Sequence, residues 1–312
     1  MNIVENPNSN IKSGTFWKCN VCAAVFEGTL PPDICPVCKA GREAFTPFTP
    51  ENITFKSEEK IKVAIIGSGI AAVSAAEAIR KRNPVAEIEI WTRENSIPYY
   101  RPVLIRTLNE KLKDRQYFIH PASFYKNRNI TIFAGRNVNY VDHLDKSIIL
   151  DNGEKRSYDK LLLATGAKAF LPPIEGRDLN GVFTLREVSD FDKLKPVIQK
   201  TAKIVVAGGG LLGLETASVL NSMGCDITVV EAKPSILPKQ TDADSSQILR
   251  QIIDKTGVKI IVGDLVAEVQ GNGKVSSVKL KSGSEISADA IIFSVGIVPS
   301  TELADVAKIK CS

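Results

Sequence analysis

A glycine-rich turn near residue 67 constrains the fold of this chain more than any other feature. Residues 62–76 read KVAIIGSGIAAVSAA, in which an apolar strand runs through the turn into an alanine-rich helix. Gly67 permits the turn, Gly69 lets the backbone approach a pyrophosphate, and Ala72 allows the helix to pack closely on the strand. Glycines also mark ordinary turns. The flanking strand and helix favour a dinucleotide-binding unit whose helix N-terminus faces the phosphates.

A second stretch of the same kind occupies residues 203–234, KIVVAGGGLLGLETASVLNSMGCDITVVEAKP. The three motif glycines are in register: Gly208, Gly210 and Gly213. The strand that follows the helix ends in Glu231, which can accept hydrogen bonds from a ribose 2′-hydroxyl and repel a 2′-phosphate. The second unit is therefore predicted to bind NADH in preference to NADPH.

The acid at the end of the second strand is harder to identify in the first unit. Residues 86–92, AEIEIWT, are predicted to be that strand, and they end in Thr92. Arg93 and Glu94 follow directly. Glu94 is the candidate for the contact with the ribose. The alternative is that Glu94 is an ordinary surface acid.

Four of the six cysteines lie close together and predict a metal site. They follow the pattern Cys-x2-Cys, twelve residues, Cys-x2-Cys, with Cys19, Cys22, Cys35 and Cys38 as the candidate ligands. Two turns that each present a pair of thiolates can form a tetrahedral shell for zinc or iron, but not for magnesium or calcium. The alternative, four structural thiols without a metal, is disfavoured because about 35 residues bury too little apolar area to fold alone.

Composition and charge limit the remaining classes. The 312-residue chain is long enough for two or three domains, and 44% hydrophobic and 24% charged residues indicate a globular protein. A formal net charge of +5 is too small to indicate a nucleic-acid partner, and the basic runs are interpreted as solvated helix faces. We see no secretory signal, and no apolar run approaches the roughly 20 residues that a bilayer requires. We expect no membrane partner and a cytoplasmic location.

The cysteine region resembles a rubredoxin domain, in the short form that rubrerythrins carry. The resemblance rests on Trp17-Lys18-Cys19, on Phe26-Glu27-Gly28-Thr29 and on Cys35-Pro36-Val37-Cys38. It implies a single iron that cycles between Fe(II) and Fe(III), with zinc as the alternative. Rubredoxins usually have glycine with φ > 0 after each cysteine pair, where this chain has Ala23 and Lys39. Each non-glycine residue there costs about 1 kcal/mol of strain.

Three further segments resemble known flavoproteins. Residues 98–104 read PYYRPVL, residues 158–167 read YDKLLLATGA, and residues 289–300 read DAIIFSVGIVPS. With the two glycine turns, they are similar to pyridine-nucleotide-dependent flavoproteins close to NADH:rubredoxin reductases, NADH oxidases and the flavoprotein module of NADH-dependent nitrite reductases. The resemblance implies FAD on the first unit and a nicotinamide dinucleotide on the second.

The same resemblance implies roles for individual residues. Arg101 would lie along the FAD, Arg106 would approach the isoalloxazine, and Glu215 would lie near the nicotinamide and flavin rings. The other implied positions are Ala164, Thr165 and Gly166 beside the FAD, and Gly296 and Pro299 at the end of the NAD domain. The alternatives are a proline-rich loop with arginines lying on apolar surface, and an acid at position 215 that the helix dipole favours.

The predicted fold class is α/β, with two Rossmann-like domains for FAD and NAD preceded by a small rubredoxin-like metal-ribbon domain. The expected boundaries are 1–50 for the metal domain, 51–60 for a linker, 61–172 for the first part of the FAD domain, 173–290 for the NAD domain and 291–312 for the start of the return to the FAD domain. Similar flavoproteins continue beyond this point with a Gly-Asp segment and an interface domain. We therefore expect a C-terminally truncated member.

The expected function is electron transfer from NADH through FAD to the four-cysteine iron, and then to an acceptor such as a rubredoxin, a rubrerythrin or a flavodiiron protein. Redox-disulfide chemistry is not expected, because residues 96–118 on the flavin side contain no cysteine. Two alternatives stay open. One is an NADH oxidase or nitrite-reductase-like flavoprotein with a structural zinc ribbon. The other is an NADH-sensing metal-ribbon module without turnover.

Overall fold

The amino-terminal part of the chain is a small antiparallel ribbon in the computed structural model, which describes residues 16–20, 24–37, 39–49 and 55–310. Three strands form a sheet in the order β2-β1-β3: β1 Phe16–Cys19, β2 Val25–Glu27 and β3 Phe45–Phe48. The Phe26 and Phe45 rings meet edge to face at 5.8 Å between centroids. Cys19 and Cys35 are fully buried in the same cluster. The core of the ribbon is therefore built on aromatic rings and cysteines.

The first α/β unit follows the ribbon. Its elements are β4 Lys62–Ile66, α1 Ile70–Arg82, β5 Glu87–Thr92, α2 Asp114–Tyr117, α3 Ala122–Asn127, β6 Ile130–Ala134, β7 Val138–Asp142, β8 Ser147–Leu150, β9 Lys155–Ser157 and β10 Lys160–Leu163. A parallel sheet has the order β10-β4-β5-β6, and β7, β8 and β9 form a separate antiparallel sheet. A 3-10 helix covers Arg101–Leu108.

The two faces of the first parallel sheet are both covered. Val63 and Ile65 pack on the small residues of α1, including Ala72 and Ala76. The opposite face, which carries Trp91, packs on the β7–β9 sheet. Strands covered on both faces appear in the sequence as continuous apolar runs. Each fully buried Val or Ile stabilises the fold by roughly 1.5–3 kcal/mol.

The second α/β unit repeats this plan. Its elements are β11 Ala167–Ala169, β12 Val182–Thr184, α4 Val188–Leu194, β13 Lys203–Ala207, α5 Leu211–Ser222, β14 Asp226–Glu231, α6 Ala243–Asp254, β15 Lys259–Val262, β16 Val266–Gly271, β17 Val275–Leu280, β18 Glu285–Ser287, β19 Ala290–Phe293, β20 Ile297–Pro299 and α7 Glu302–Val306. A parallel sheet has the order β12-β19-β13-β14-β15, and an antiparallel sheet has the order β16-β17-β18.

Two segments connect the units. β11 leaves the first unit and β20 leaves the second, and they pair antiparallel with Ala167 opposite Pro299. After β20, the short helix α7 returns to the first unit, where Ala307 is buried in the cluster that contains Trp91. The predicted α/β class, with two Rossmann-like units behind a small ribbon domain, is confirmed. No helix in the described part of the chain is long and apolar enough to cross a membrane.

Candidate dinucleotide and metal sites

The first glycine turn is shaped by close backbone contacts. Gly67 has φ +112°, and an added Cβ atom would lie 2.1 Å from the carbonyl oxygen of Ala164. Only glycine fits there. Gly69 lies directly before α1, and a Cβ atom added to it would meet nothing within 4 Å in the described part of the chain. The backbone at Gly69 therefore faces open space, which fits a pyrophosphate at the N-terminus of the helix.

An open cavity of about 310 Å³ lies in front of this turn. Its wall includes the turn itself, the end of β5 from Trp91 to Glu94, and the segment from Ala164 to Lys168. Five cationic side chains and three carboxylates in the described chain contribute to the lining: Arg93, Arg101, Arg136, Lys168, Arg186, Glu94, Glu187 and Glu302. The excess of cations suits an anionic ligand.

Glu94 and Arg101, both predicted as cofactor contacts, form an ion pair in this cavity. The Arg101 guanidinium lies 2.5 Å from Glu94 Oε1, and the Tyr99 hydroxyl donates a hydrogen bond to Glu94 Oε2. Arg101 also donates to the carbonyl oxygen of Arg186 at 3.0 Å. Burial, followed by the hydrogen bond to Glu94, raises the pKa of Tyr99. Tyr99 therefore remains a protonated donor that fixes the Glu94 carboxylate.

Other cations of the cavity were not among the predicted site residues. Arg93 pairs with Glu187, and Lys168 pairs with Glu302. Arg186 donates from Nε to the carbonyl oxygen of Ala167 at 2.9 Å. Burial, followed by the nearby positive charge of Arg101, lowers the pKa of Arg186. Sequence reasoning missed Arg186 because it lies 85 positions beyond its contact Arg101. No local motif marks it.

The two predicted catalytic residues lie apart from this cavity. Arg106 is half exposed and pairs with Glu110 at 2.8 Å, one turn further along the chain. Glu215 is exposed on α5. The structure does not bring either side chain into the described cavity lining. Their catalytic roles stay predictions.

The second glycine turn repeats the geometry of the first. Gly208 has φ +113°, and an added Cβ would lie 2.4 Å from the carbonyl oxygen of Ser294. An added Cβ at Gly213 would lie 1.9 Å from the Gly208 carbonyl oxygen. Gly210 lies directly before α5, and a Cβ atom added to it would meet no atom of the described chain within 4 Å. The acid at the end of β14, Glu231, is buried and accepts a hydrogen bond from the Gly209 backbone N–H at 2.7 Å.

The small-residue segments after β10 and β19 meet each other between the units. The Thr165 hydroxyl donates to the carbonyl oxygen of Ser300 at 2.7 Å, and the Ser300 N–H donates to the carbonyl oxygen of Gly166 at 3.0 Å. Gly166 and Gly296 both have positive φ, of 69° and 134°. The predicted positions Ala164 to Gly166 and Gly296 to Pro299 are therefore brought together. They form the crossover between the two glycine turns.

The described part of the metal ribbon shows two turns built on cysteines. The Cys19 N–H donates to the Ala24 carbonyl oxygen at 2.9 Å, and the Cys35 N–H donates to that of Ala40 at 2.7 Å. Lys39 has φ +66°, the left-handed conformation that glycine would adopt without strain. Paired turns with buried thiols match the donor chemistry of a tetrahedral iron or zinc site.

Two of the four predicted metal ligands, Cys22 and Cys38, lie outside the described residues, as does Ala23. Within the described residues, no group of three or more His, Cys, Asp or Glu side chains is placed to hold a metal. The four-cysteine shell therefore stays a prediction. Of its four proposed ligands, the structure describes Cys19 and Cys35.

Comparisons with known proteins match both parts of the chain. Residues 61–312 match the family model of pyridine nucleotide-disulphide oxidoreductases, and residues 17–46 match that of the rubrerythrin, rubredoxin-like domain. A rubredoxin-NAD(+) reductase of Ectopseudomonas oleovorans is 33% identical over 252 residues, which cover 80% of this chain and 66% of the relative. An NADH oxidase of Methanocaldococcus jannaschii is 34% identical over 252 residues, which cover 78% of this chain and 56% of the relative.

A solved structure agrees with these relatives. The ferredoxin reductase for the CYP199A2 system from Rhodopseudomonas palustris superposes with a TM-score of 0.75 at 25% identity, over 81% of this chain and 63% of that protein. The chain thus spans just under two thirds, or less, of the length of these proteins. With glycine turns, crossover and family model in agreement, the chain belongs to the pyridine nucleotide-disulphide oxidoreductase family and carries a rubredoxin-like domain in its amino-terminal part.

Proposed function

We propose that this protein is an electron-transfer flavoprotein that passes electrons from NADH through FAD to a rubredoxin-type iron site, and on to a redox protein. The observation that carries the proposal is the pair of glycine turns, each open at the start of its helix, joined by the Thr165–Ser300 crossover. Two dinucleotide sites that meet at one crossover suit a hydride donor and a flavin. The ribbon adds a one-electron site to the same chain.

The first unit is proposed to hold FAD. The contacts would come from Gly67, Gly69, Ala72, Glu94, Arg101, Ala164, Thr165 and Gly166. Bound FAD supplies the chemistry that links a two-electron donor to a one-electron acceptor. The chain contributes the open backbone at Gly69 for the pyrophosphate, and a Glu94 carboxylate held by Arg101 and Tyr99. Arg106 is proposed to approach the flavin ring.

The second unit is proposed to hold NADH, with NADPH disfavoured. Its contacts would be Gly208, Gly210, Gly213, Glu231, Gly296 and Pro299, and Glu215 would lie near the nicotinamide. Glu231 is 8% exposed and keeps its carboxylate at the end of β14 through the N–H groups of Gly209 and Lys233. A buried carboxylate in this place accepts from a 2′-hydroxyl and repels a 2′-phosphate.

The ribbon is proposed to bind iron through Cys19, Cys22, Cys35 and Cys38. The boundaries of the metal, FAD and NAD domains are proposed as predicted above. Two curated relatives carry the name rubredoxin-NAD(+) reductase, which supports a redox-protein acceptor. A rubredoxin, a rubrerythrin or a flavodiiron protein would fit this description.

An anaerobic titration with NADH, followed by visible absorption, tests the proposal. We expect flavin absorption that bleaches on addition of NADH, together with thiolate-to-iron bands that bleach as the iron is reduced. In Cys19→Ser the iron bands should disappear while the flavin still bleaches. A colourless ribbon beside an active flavin, with oxygen as acceptor, would instead support an NADH oxidase with structural zinc, as the relative of that name suggests. Binding of NADH without bleaching would contradict both.

A further inference from the structure

The register of the two parallel sheets makes the ends of β5 and β14 equivalent. Ile66 pairs with Trp91 at the end of β4, and Ala207 pairs with Val230 at the end of β13. The next residues, Thr92 and Glu231, therefore occupy the same place relative to their glycine turns. By the same register, Ser68 in the middle of the first turn is equivalent to Gly209 in the middle of the second. The position of the second-strand acid is thus occupied by Thr92, two residues before Glu94.

In the second unit the strand-end acid packs directly against a glycine. Glu231 Oε2 accepts a hydrogen bond from the Gly209 N–H at 2.7 Å. An added Cβ at Gly209 would lie 2.9 Å from the Cβ of Glu231, closer than two such atoms approach. The same added Cβ would lie 3.3 Å from Cγ and Oε2 of Glu231, so a side chain in the middle of this turn would compete with the glutamate for space.

The first unit has the opposite combination. The Ser68 hydroxyl donates to Thr92 Oγ1 at 2.9 Å, and the two residues are 6% and 5% exposed. This hydroxyl pair takes the place of the Gly209–Glu231 contact of the second unit. The end of β5 is consequently neutral. The carboxylate of Glu94, two residues further along the chain, is already paired with Arg101.

Cations stand close to this neutral pair. Arg93 follows Thr92 directly, and the backbone N–H of Arg136 donates to the Thr92 carbonyl oxygen at 2.9 Å, which places residue 136 beside the end of β5. Both arginines line the cavity, and Arg136 is exposed. Arg93 is held by Glu187, whereas Arg136 forms no ion pair with a carboxylate of the described chain. In dinucleotide sites, an arginine near the strand end accommodates a 2′-phosphate where the acid is absent.

We infer that the Ser68–Thr92 hydroxyl pair sets the specificity of the first site, so that it binds adenine nucleotides with a 2′-phosphate as well as those with a free 2′-hydroxyl. Glu231 gives the second site the opposite preference. The inference rests on the proposed FAD site and deepens it, because it names the ligand class that competes with FAD there. Ser68 and Thr92 act together, because Thr92 takes the place of the acid and Ser68 donates to its hydroxyl, which keeps this end of the site uncharged.

Competition with FAD tests this inference. The full chain, stripped of flavin, is titrated with FAD, and bound FAD is followed by the quenching of its fluorescence in the presence of ADP or 2′,5′-ADP. We expect the two nucleotides to compete with inhibition constants within about threefold of each other. In the double variant Ser68→Gly/Thr92→Glu, the binding of 2′,5′-ADP should become at least about tenfold weaker relative to that of ADP. Thr92→Glu alone should weaken FAD, because the glutamate meets the Ser68 side chain.

A second variant keeps the test decisive if the double variant does not fold. Arg136→Ala alters an exposed residue and should weaken 2′,5′-ADP by about threefold or more without weakening ADP equally. Arg115→Ala, exposed and outside the cavity lining, is the control and should change neither. Wild-type discrimination of about tenfold or more against 2′,5′-ADP, or an Arg136→Ala ratio equal to wild type, would overturn the inference.

Failure of the proposed function gives a different result. A wild-type chain that binds no FAD would contradict the FAD site itself. In that case the two nucleotides are titrated directly by calorimetry, in a Glu231→Gln background and in wild type. Binding of 2′,5′-ADP by the wild-type chain would still support the neutral first site, because Glu231 excludes that probe from the second. Its absence would overturn the inference as well.

Discussion

Single side chains carry much of the local order in this protein, and Arg80 is the clearest case. From the sequence, Arg80-Lys81-Arg82 is interpreted as part of a solvated helix face. The structure agrees for Lys81, which is exposed, but not for Arg80. The Arg80 guanidinium is half-buried and donates to five backbone carbonyl oxygens, those of Asn83, Pro84, Ala86, Arg128 and Asn129. Burial lowers its pKa. A pattern of charges cannot show which of three neighbours turns inward.

Arg80→Ala should therefore destabilise the first unit by about 3 kcal/mol, because several carbonyl groups lose a charged donor together. Arg80→Lys should recover only part of this loss, since an ammonium group cannot reproduce the planar fork of donors. Denaturant unfolding checks both variants. Lys81→Ala is the matched control and should stay within about 0.5 kcal/mol of wild type; an equal loss in that variant would refute the role of Arg80.

Lys39 gives a second prediction at this scale. Because its φ is +66°, Lys39→Gly should relieve strain and stabilise the metal ribbon by up to about 1 kcal/mol. Lys39→Ala removes the same side chain but keeps the strained backbone, so it should give no gain. The measurement is the temperature at which the ribbon releases its metal. Equal behaviour of the two variants would show that the lysine side chain, and not the backbone, sets stability.

At the scale of elements, the sequence predicts the structure well where the backbone conformation permits only one type of residue. Gly67 and Gly208 occupy positive φ against a neighbouring backbone, so the strand–turn–helix units were visible in the sequence. The contents of the cavity were less visible. Glu94 and Arg101 are both predicted from the sequence, but their ion pair with each other and the contact of Arg101 with Arg186 appear only in the folded chain. Contacts between residues 85 or more positions apart leave no local sequence motif from which they could be predicted.

The two glycines of the first turn should separate folding from binding. Gly67→Ala should destabilise the protein by about 2–4 kcal/mol, because its Cβ would meet the Ala164 carbonyl oxygen at 2.1 Å. Gly69→Ala meets open space, and as a change from glycine to alanine directly before α1 it should cost the flavin-free protein no more than about 1 kcal/mol. It should nevertheless weaken FAD by at least about tenfold, because the methyl group takes the place of the pyrophosphate. Thermal unfolding and FAD titration on both variants distinguish these effects; a Gly69→Ala protein with unchanged FAD affinity would contradict the site.

At the scale of the whole molecule, ion pairs tie segments that are distant in sequence across the cavity. Arg93 on the first unit pairs with Glu187 near the start of α4, and Lys168 on β11 pairs with Glu302 on α7. These pairs surround the proposed FAD site and are partly exposed. Exposed pairs of this kind contribute little to stability, and salt screens them. Their main effect is on the relative placement of the connected segments.

Glu302→Gln should consequently cost no more than about 0.5 kcal/mol at neutral pH. The hydrogen bond from Lys168 lowers the pKa of Glu302, so the contribution is present above the ordinary range of a glutamate and is lost as the pH falls through the lowered value. The difference from wild type should therefore disappear in acid and in high salt. Thermal unfolding across pH measures it. Glu58→Gln, exposed and ahead of β4, is the control; a pH-dependent difference in that variant would point to net charge instead.

The two tryptophans of the chain lie in different parts of the molecule. Trp17 belongs to the ribbon core, where its indole N–H donates to the Gly28 carbonyl oxygen at 3.1 Å. Trp91 lines the cavity of the first unit and stacks on Phe133 at 3.9 Å. The protein therefore contains one tryptophan beside each proposed redox centre. With Trp17→Phe and Trp91→Phe, ultraviolet emission would report the loading of the ribbon and of the cavity separately, in unlabelled protein and in real time.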